Sequence, residues 1–343
     1  MNKVGIGLLG CGSWGRNYIR NFDHLSEAEV VACCDLDEAR LAHARSAFPG
    51  VRATSDFDSV LEDPAIGAVV IATPPPTHFS LALKAASLGK HTLVEKPLTL
   101  AVSDSRELIA AAERAGIVLM AGHIMVHNSG IQRLRELIED GEVGKVRYVY
   151  LSRTNLGMVR SDVNVMWDLA PHDVSILNHV LGRLPRTVRA VGKAFVQPGV
   201  EDVVILILEY DDGVFATIHL SWLDPHKSRR VTVIGDKKMI AFDDLAAVDK
   251  IRIYDIGVDY DPASEREYED FAAYQLSYRY GDIVIPRVPV GEPLAAQCAA
   301  FVRAITQGDK PVSDGRAGLE VVAVCEAADQ SLKEDGAPIP VVV

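Results

Sequence analysis

Residues 7–18 read GLLGCGSWGRNY, with glycines at 10, 12 and 15 in the spacing G-x-G-x-x-G. Such spacing either cradles a phosphate or merely turns a chain, and the flanking segments decide between the two. Upstream, VGIGLL (4–9) is a short apolar run that suits a strand buried on both faces. Downstream, RNYIRNF carries helical spacing. In that setting Gly10 permits a tight turn, Gly12 lets backbone approach a pyrophosphate, and Gly15 lets the helix pack close. The helix start then presents unpaired N–H groups and the positive end of its dipole to the anion. Asp35 ends the next apolar run, EVVACCD (29–35), 20 residues after Gly15. A carboxylate there accepts both hydroxyls of an adenosine ribose and repels a 2′-phosphate, so NAD is expected rather than NADP. Arg40 and Arg45 read as solvated charges on the following helix.

The same rhythm continues outward. GAVVIAT (67–73), HTLVEKP (91–97) and IVLMAG (117–122) read as further strands, separated by the helical LDEARLAHARSAF, THFSLALKAASLG and SDSRELIAAAERAG. Strands alternating with helices predict βαβ units and a parallel sheet. After about residue 122 the pattern changes. GIQRLRELIEDG is a helix closed by Gly141, and DLAPHDVSILNHVLG is a second helix, whose Pro171 places its start near that residue with Asp168 in the turn before. TVRAVGKAFV, DVVILILEY, GVFATIHLSWL and SRRVTVIG then follow as strands with few helices between them, which predicts an open antiparallel or mixed sheet with one covered face. A chain of 343 residues exceeds the usual span of a single core. Two domains are therefore expected, residues 1–122 of α/β type and residues 123–343 of α+β type, with a cleft beside their junction.

Composition narrows the partners. A net charge of −12 without an offsetting basic cluster opposes binding to nucleic acid or an anionic membrane, so a small molecule is the expected ligand. No apolar run reaches membrane-spanning length, and a strand-like segment begins directly after Met-Asn-Lys, which points to a cytoplasmic protein without a signal peptide. The cysteines at 11, 33, 34, 298 and 325 lack C-x-x-C spacing and read as free buried thiols. His123 and His127, in GHIMVHN, have metal-like spacing. No Glu follows His123 and no third ligand is evident, so no metal is expected.

Two further stretches carry chemistry. VEKP (94–97) puts Lys96 at the carboxyl end of a strand, where open α/β sheets bind ligands. WDLAPHD (167–173) holds Asp168 and His172 four residues apart.

Taken in order, GCGSWG, ATPPPTH (72–78), EKP and DLAPH (168–172) resemble the Gfo/Idh/MocA oxidoreductase family, and the resemblance runs through the C-terminal EPLAAQCAAFVRAITQG and SDGRAGLEVVAVCEAADQSL. It implies an N-terminal Rossmann domain holding NAD(H), and a C-terminal α+β domain built on an open, mostly antiparallel sheet that covers the active site and often mediates oligomers. A homodimer or homotetramer is thus expected. It also implies a cis peptide before Pro97, and cofactor contacts from Gly10, Gly12, Ser13, Trp14, Gly15, Asp35, Thr73, Pro74, His78, Glu95 and Lys96. Oxidising a secondary alcohol needs a base and a positive charge near the developing alkoxide, so the resemblance implies catalytic roles for Lys96, His172 and Asp168: His172 fits the base, Lys96 supplies the charge and is open to sharing the proton transfer, and Asp168 orients the imidazole or pairs with Lys96. Residues 152–177 look like the nucleotide-sugar branch, in particular UDP-N-acetylglucosamine 3-dehydrogenases, so Arg153, Arg160 and Asn164 join Lys96, Asp168 and His172 as expected substrate contacts. A free-sugar or inositol dehydrogenase would keep the same Lys96, Asp168 and His172, whereas a non-catalytic NAD or sugar sensor would lack part of that set. One departure is the sequence Asn128-Ser-Gly, where many relatives place a proline.

Overall fold

A computed structural model of the protein describes residues 3–157, 159–259 and 277–343. The first sheet is parallel, built from β1 (Val4–Leu9), β2 (Ala28–Cys34), β3 (Arg52–Thr54), β4 (Ala68–Ile71), β5 (His91–Glu95) and β6 (Leu119–Gly122), in the order β3-β2-β1-β4-β5-β6. Helices α1 (Ser13–Asp23), α2 (Glu38–Ala47), α3 (Phe57–Leu61), α4 (His78–Ser87) and α5 (Val102–Ala115) form the connections. Every residue of β4 is buried, as a strand covered by helices on both faces must be. The order reverses between β1 and β4, and the glycine turn sits at the carboxyl end of β1, where doubly wound sheets bind ligands.

After α6 (Ser129–Glu139) the chain enters a nine-stranded sheet. Its members are β7 (Val146–Leu156), β8 (Thr187–Lys193), β9 (Val203–Glu209), β10 (Phe215–Ser221), β11 (Leu223–Gly235), β12 (Met239–Asp243), β13 (Ile251–Asp259), β14 (Ser277–Val284) and the short β15 (Ile339–Pro340), with α7 (Val165–Leu181) inserted after β7. Among the described residues only β7 and β10 pair in parallel; every other pairing in this sheet is antiparallel. The alternation in β9, where Val204, Leu206 and Leu208 are fully buried while Ile205 and Ile207 are exposed, makes one face the core side and leaves the other open.

Helix α7 lies on the inner face of this sheet and begins at Val165, not near Pro171 as the sequence suggests. Asn164 accounts for the difference. Its side chain accepts from the Trp167 N–H and caps a helix start six residues ahead of the proline, so the helix carries one missing N–H in its interior instead of beginning there. Asp168 therefore stands in the first turn and shares a helical face with His172.

All strands of the first sheet precede residue 123 and all strands of the second follow it, and we propose 1–122 and 123–343 as the two domains. Two C-terminal helices tie them together. Helix α8 (Pro293–Gln307) returns to pack on α1, placing Phe301 and Cys298 among Tyr18 and Phe22, and α9 (Gly315–Lys333) packs against α5, α7 and β8. All five cysteines are buried and free. Among the described residues no helix is long and apolar enough to cross a membrane.

Candidate active site

The glycine turn carries the phosphate geometry. Gly10 has φ +99°, a conformation that L side chains rarely adopt, and a Cβ on Gly15 would come within 1.9 Å of the Gly10 carbonyl oxygen. Gly12 is the opposite case, with nothing within 4 Å of its would-be Cβ. It is also the N-cap of α1 and supplies no side-chain cap, so the first N–H groups of the helix, at Ser13 and Trp14, are left for a ligand. Asp35 is buried beside this turn. Its Oδ2 accepts from the Cys11 N–H at 2.7 Å and its Oδ1 from the Asp37 N–H at 2.9 Å, which fixes the carboxylate and leaves lone pairs for ribose hydroxyls. Arg40, read from sequence as solvated, leans back to within 3.5 Å of Asp35, while Arg45 pairs with Glu38 on the surface. These residues fit a dinucleotide.

Two loops close the other side of that site. His78 is fully buried, its Nδ1 2.7 Å from the Pro97 carbonyl oxygen and its Nε2 2.9 Å from that of Thr73, so one ring links the loop that holds Thr73 and Pro74 to the turn after β5. The Lys96–Pro97 peptide in that turn is cis. Glu95, an expected cofactor contact, accepts from the Tyr18 hydroxyl at 2.7 Å and from the Lys96 N–H at 3.0 Å, and burial pushes its carboxyl upward. It thus braces the strand end against α1.

The Lys96 side chain crosses to α7. Its Nζ donates to the Asp168 carbonyl oxygen at 2.6 Å and to Oδ1 at 3.1 Å. Asp168 also receives Arg160 at 3.3 Å and the Trp222 indole N–H at 3.3 Å, so three donors hold one carboxylate. His172 follows one turn later. Burial, with Lys96, Arg153, His123 and Arg229 nearby, holds its imidazole well below the ordinary histidine value. The ring is neutral at pH 7 and able to accept a proton.

A cleft of about 360 Å³ opens beside His172, lined by Trp14 from the glycine turn, by Asn128, and by Arg153, Arg229, Asp244 and Lys250 from the second domain. The expected substrate contacts divide at this point. Lys96, Asp168 and His172 come together. Arg153 lines the cleft, but its Nε and Nη2 grip Asp173 at 2.7–3.0 Å in a buried pair. Arg160 is held by Asp162 as well as Asp168. Asn164, engaged with α7 and Glu201, borders a separate depression with Ser161 and Val200. The other cations on the cleft wall are Arg229 and Lys250, which share the carboxylate of Asp244 at 3.5 and 3.8 Å, Lys250 also donating to the Asp244 carbonyl oxygen at 2.7 Å. Neither stood out in the sequence, because each is one charged residue in an alternating strand or turn. Asn128, at the departure from the proline pattern, caps α6 through its Oδ1 and donates to Asp244 at 2.9 Å.

Residues 4–123 match the oxidoreductase family with an NAD-binding Rossmann fold, and residues 131–241 match the GFO/IDH/MocA C-terminal domain. Among relatives, the chain is 29% identical to the UDP-N-acetylglucosamine 3-dehydrogenase of Acidithiobacillus ferrooxidans, over 94% of this chain and 95% of that protein. It is 24% identical to the myo-inositol 2-dehydrogenase of Thermotoga maritima, over 96% of each. The solved structure of UDP-N-acetylglucosamine 3-dehydrogenase from Acidithiobacillus ferrooxidans superposes with a TM-score of 0.82 at 27% identity, covering 97% of this chain and 99% of that one.

Proposed function

The chain belongs to the Gfo/Idh/MocA family of NAD-binding oxidoreductases, and on that premise we propose that it oxidises a secondary alcohol of a nucleotide sugar, at C3 of a UDP-N-acetylhexosamine, to the ketone. The observation that carries the proposal is the Lys96–Asp168 pair one helical turn from His172, which itself lines a cleft with Arg229 and Lys250. The glycine turn and Asp35 would hold NAD+, which would supply the hydride acceptor. His172, kept neutral by its surroundings, takes the hydroxyl proton. The Lys96 ammonium, aimed by Asp168, stabilises negative charge as it develops on the substrate oxygen. Arg229 and Lys250 against one Asp244 leave a surplus positive charge, which suits a diphosphate and has no counterpart in a neutral polyol. A free inositol is for that reason the second reading.

Purified protein is offered NAD+ with UDP-N-acetylglucosamine or with myo-inositol while NADH is followed. NADH formed with inositol alone overturns the nucleotide-sugar reading. His172→Ala and Lys96→Ala are expected to lose about 10²- to 10⁴-fold in kcat, His172→Ala while binding NADH normally. Wild-type rates in both would remove the catalytic assignment.

We also propose a homo-oligomer, dimer or tetramer, formed through the open sheet face. Tyr150, Val191, Ile205, Ile207 and Phe215 are exposed there, and the Tyr148 and Phe215 rings stack at 5.4 Å. An apolar patch of this kind on a stable protein marks an interaction surface. Light scattering of wild type and Ile205→Lys tests it: an unchanged mass in the variant refutes it.

A further inference from the structure

A second cavity, of about 220 Å³, lies behind the active site among α6, α7 and α9. Its wall includes His123, Asn178, His179, Ser313 and Glu320, with Arg135 at its rim, and none of these residues belongs to the cleft beside His172. The polar groups here are unusual in lacking partners. Both ring nitrogens of His123, both amide atoms of Asn178 and Nε2 of His179 are enclosed without a hydrogen bond to any described residue, and His123 is only 1% exposed. Buried polar groups left unpaired are costly, and a polar cavity this size holds several waters that would satisfy them.

A further unpaired nitrogen lies at the active site itself. His172 borders the substrate cleft, yet its Nδ1 is enclosed and equally without a partner. His172 and His123 are close enough for a charge on one to disfavour a charge on the other, and Lys96 acts on both in the same sense. Ser175, which lines the second cavity, donates its hydroxyl to the His172 carbonyl at 2.7 Å.

We propose that the second cavity is a water-filled proton outlet, through which a proton taken from the substrate by His172 leaves by way of His123 to solvent beside Arg135 and Glu320. The proposal rests on the assignment of His172 as the base. When substrate fills the cleft, the cleft side of His172 is covered, and its enclosed face is the remaining exit. The balance is simple. The substrate O–H bond breaks and its electron pair becomes the second bond of the carbonyl, the C–H pair would leave as hydride for the nicotinamide acceptor, and the proton bonds to the imidazole, which returns to neutral by giving its other ring proton to water. His123 then accepts a proton through bridging water at one ring nitrogen and releases another from the second, ending as a neutral tautomer. Burial together with His127 and Lys96 brings His123 down to about 3, so the ring passes a proton without retaining it.

Four variants, His123→Phe, His123→Gln, Asn178→Leu and His172→Ala, are compared on the NADH-forming reaction with UDP-N-acetylglucosamine and with myo-inositol, in H₂O and D₂O. His123→Phe is expected to lower kcat roughly 10- to 100-fold, at the low end of what a proton-transfer group contributes. It is also expected to raise the solvent isotope effect and to leave NADH affinity unchanged, with part of the rate returning in His123→Gln. Asn178→Leu removes an unpaired amide at similar volume, so it is expected to hold or raise Tm while kcat still falls several-fold, a combination that a purely structural role does not give. Wild-type kcat and isotope effect in both His123→Phe and Asn178→Leu, alongside an inactive His172→Ala, overturn the outlet and spare the base. An active His172→Ala overturns both. Independently of any substrate, a crystal structure at high resolution is expected to place ordered waters on His123 and Asn178, and a dry cavity refutes the proposal.

Discussion

Gly12→Ala and Gly15→Ala make one comparison that separates folding from cofactor binding in the glycine turn. At Gly15 the added Cβ would meet the Gly10 carbonyl oxygen at 1.9 Å and its carbon at 2.9 Å. Backbone cannot swing aside as a side chain does, so α1 must move off the end of β1 by more than 1 Å, and overpacking of this kind costs about 1–3 kcal/mol or more. At Gly12 the φ of −64° is open to any L residue and the methyl meets nothing within 4 Å. The loss of an N-cap glycine and the gain from a less flexible unfolded chain then nearly cancel, each being below about 1 kcal/mol. The methyl does occupy the space through which a pyrophosphate would approach the N–H groups of α1. Gly12→Ala is therefore expected to melt within a few degrees of wild type but to bind NADH at least about tenfold more weakly, the equivalent of roughly 1.4 kcal/mol. Gly15→Ala is expected to lose stability first. Thermal melts of the apo protein and titration of NADH fluorescence give the two readouts. A Gly12→Ala protein with wild-type NADH affinity would refute the placement of the phosphates on this turn.

Other expectations follow from the ion pairs and the buried rings. Asp173→Ala leaves the Arg153 guanidinium buried without its bidentate partner and should cost about 3–5 kcal/mol in denaturant unfolding; a loss below about 1 kcal/mol would mean that the pair is not buried in solution. Arg229→Gln should raise KM for UDP-N-acetylglucosamine about tenfold or more, the worth of one charged hydrogen bond, with little change in kcat, and equal KM values would remove Arg229 from the substrate site. Burial also lowers His123 to about 3 and His127 and His179 to about 4, so below the unfolded value of about 6.5 the unfolded chain binds more protons than the native one. Their stabilisation is complete above about pH 6.5 and drains away as pH falls toward the folded values, by roughly 3 kcal/mol in total between pH 6.5 and 5.5. Glu95 and Glu320, with raised carboxyls, act in the opposite sense and reduce that figure. Urea denaturation at the two pH values checks the sign, and a protein that gains stability on acidification contradicts it.

The parallel sheet was legible because its information is local. A buried strand such as AVVI (68–71) announces itself in four consecutive apolar residues, and the glycine turn lies within six positions. The second sheet was less so. Strand β7 pairs with β10 and β11, more than fifty residues further on, and its sequence VRYVYLSRTNL mixes charges with aromatics because half of its residues face outward. Its arginines interrupt the apolar alternation that marks a strand, and Arg153 reads from sequence as a ligand contact. The same alternation explains the outcome: Arg153 is on the buried side, so its charge had to be met from within the protein, and Asp173 on α7 meets it. Sequence spacing relates residues along one element, as it did for Asp168 and His172, but pairings between elements such as Lys96 with Asp168, Trp222 with Asp168, or Arg229 and Lys250 with Asp244 exist only once those elements are packed together. The cations left to face the cleft are those for which the interior offers no dedicated carboxylate, and that selection is a property of the packed fold rather than of any stretch of chain.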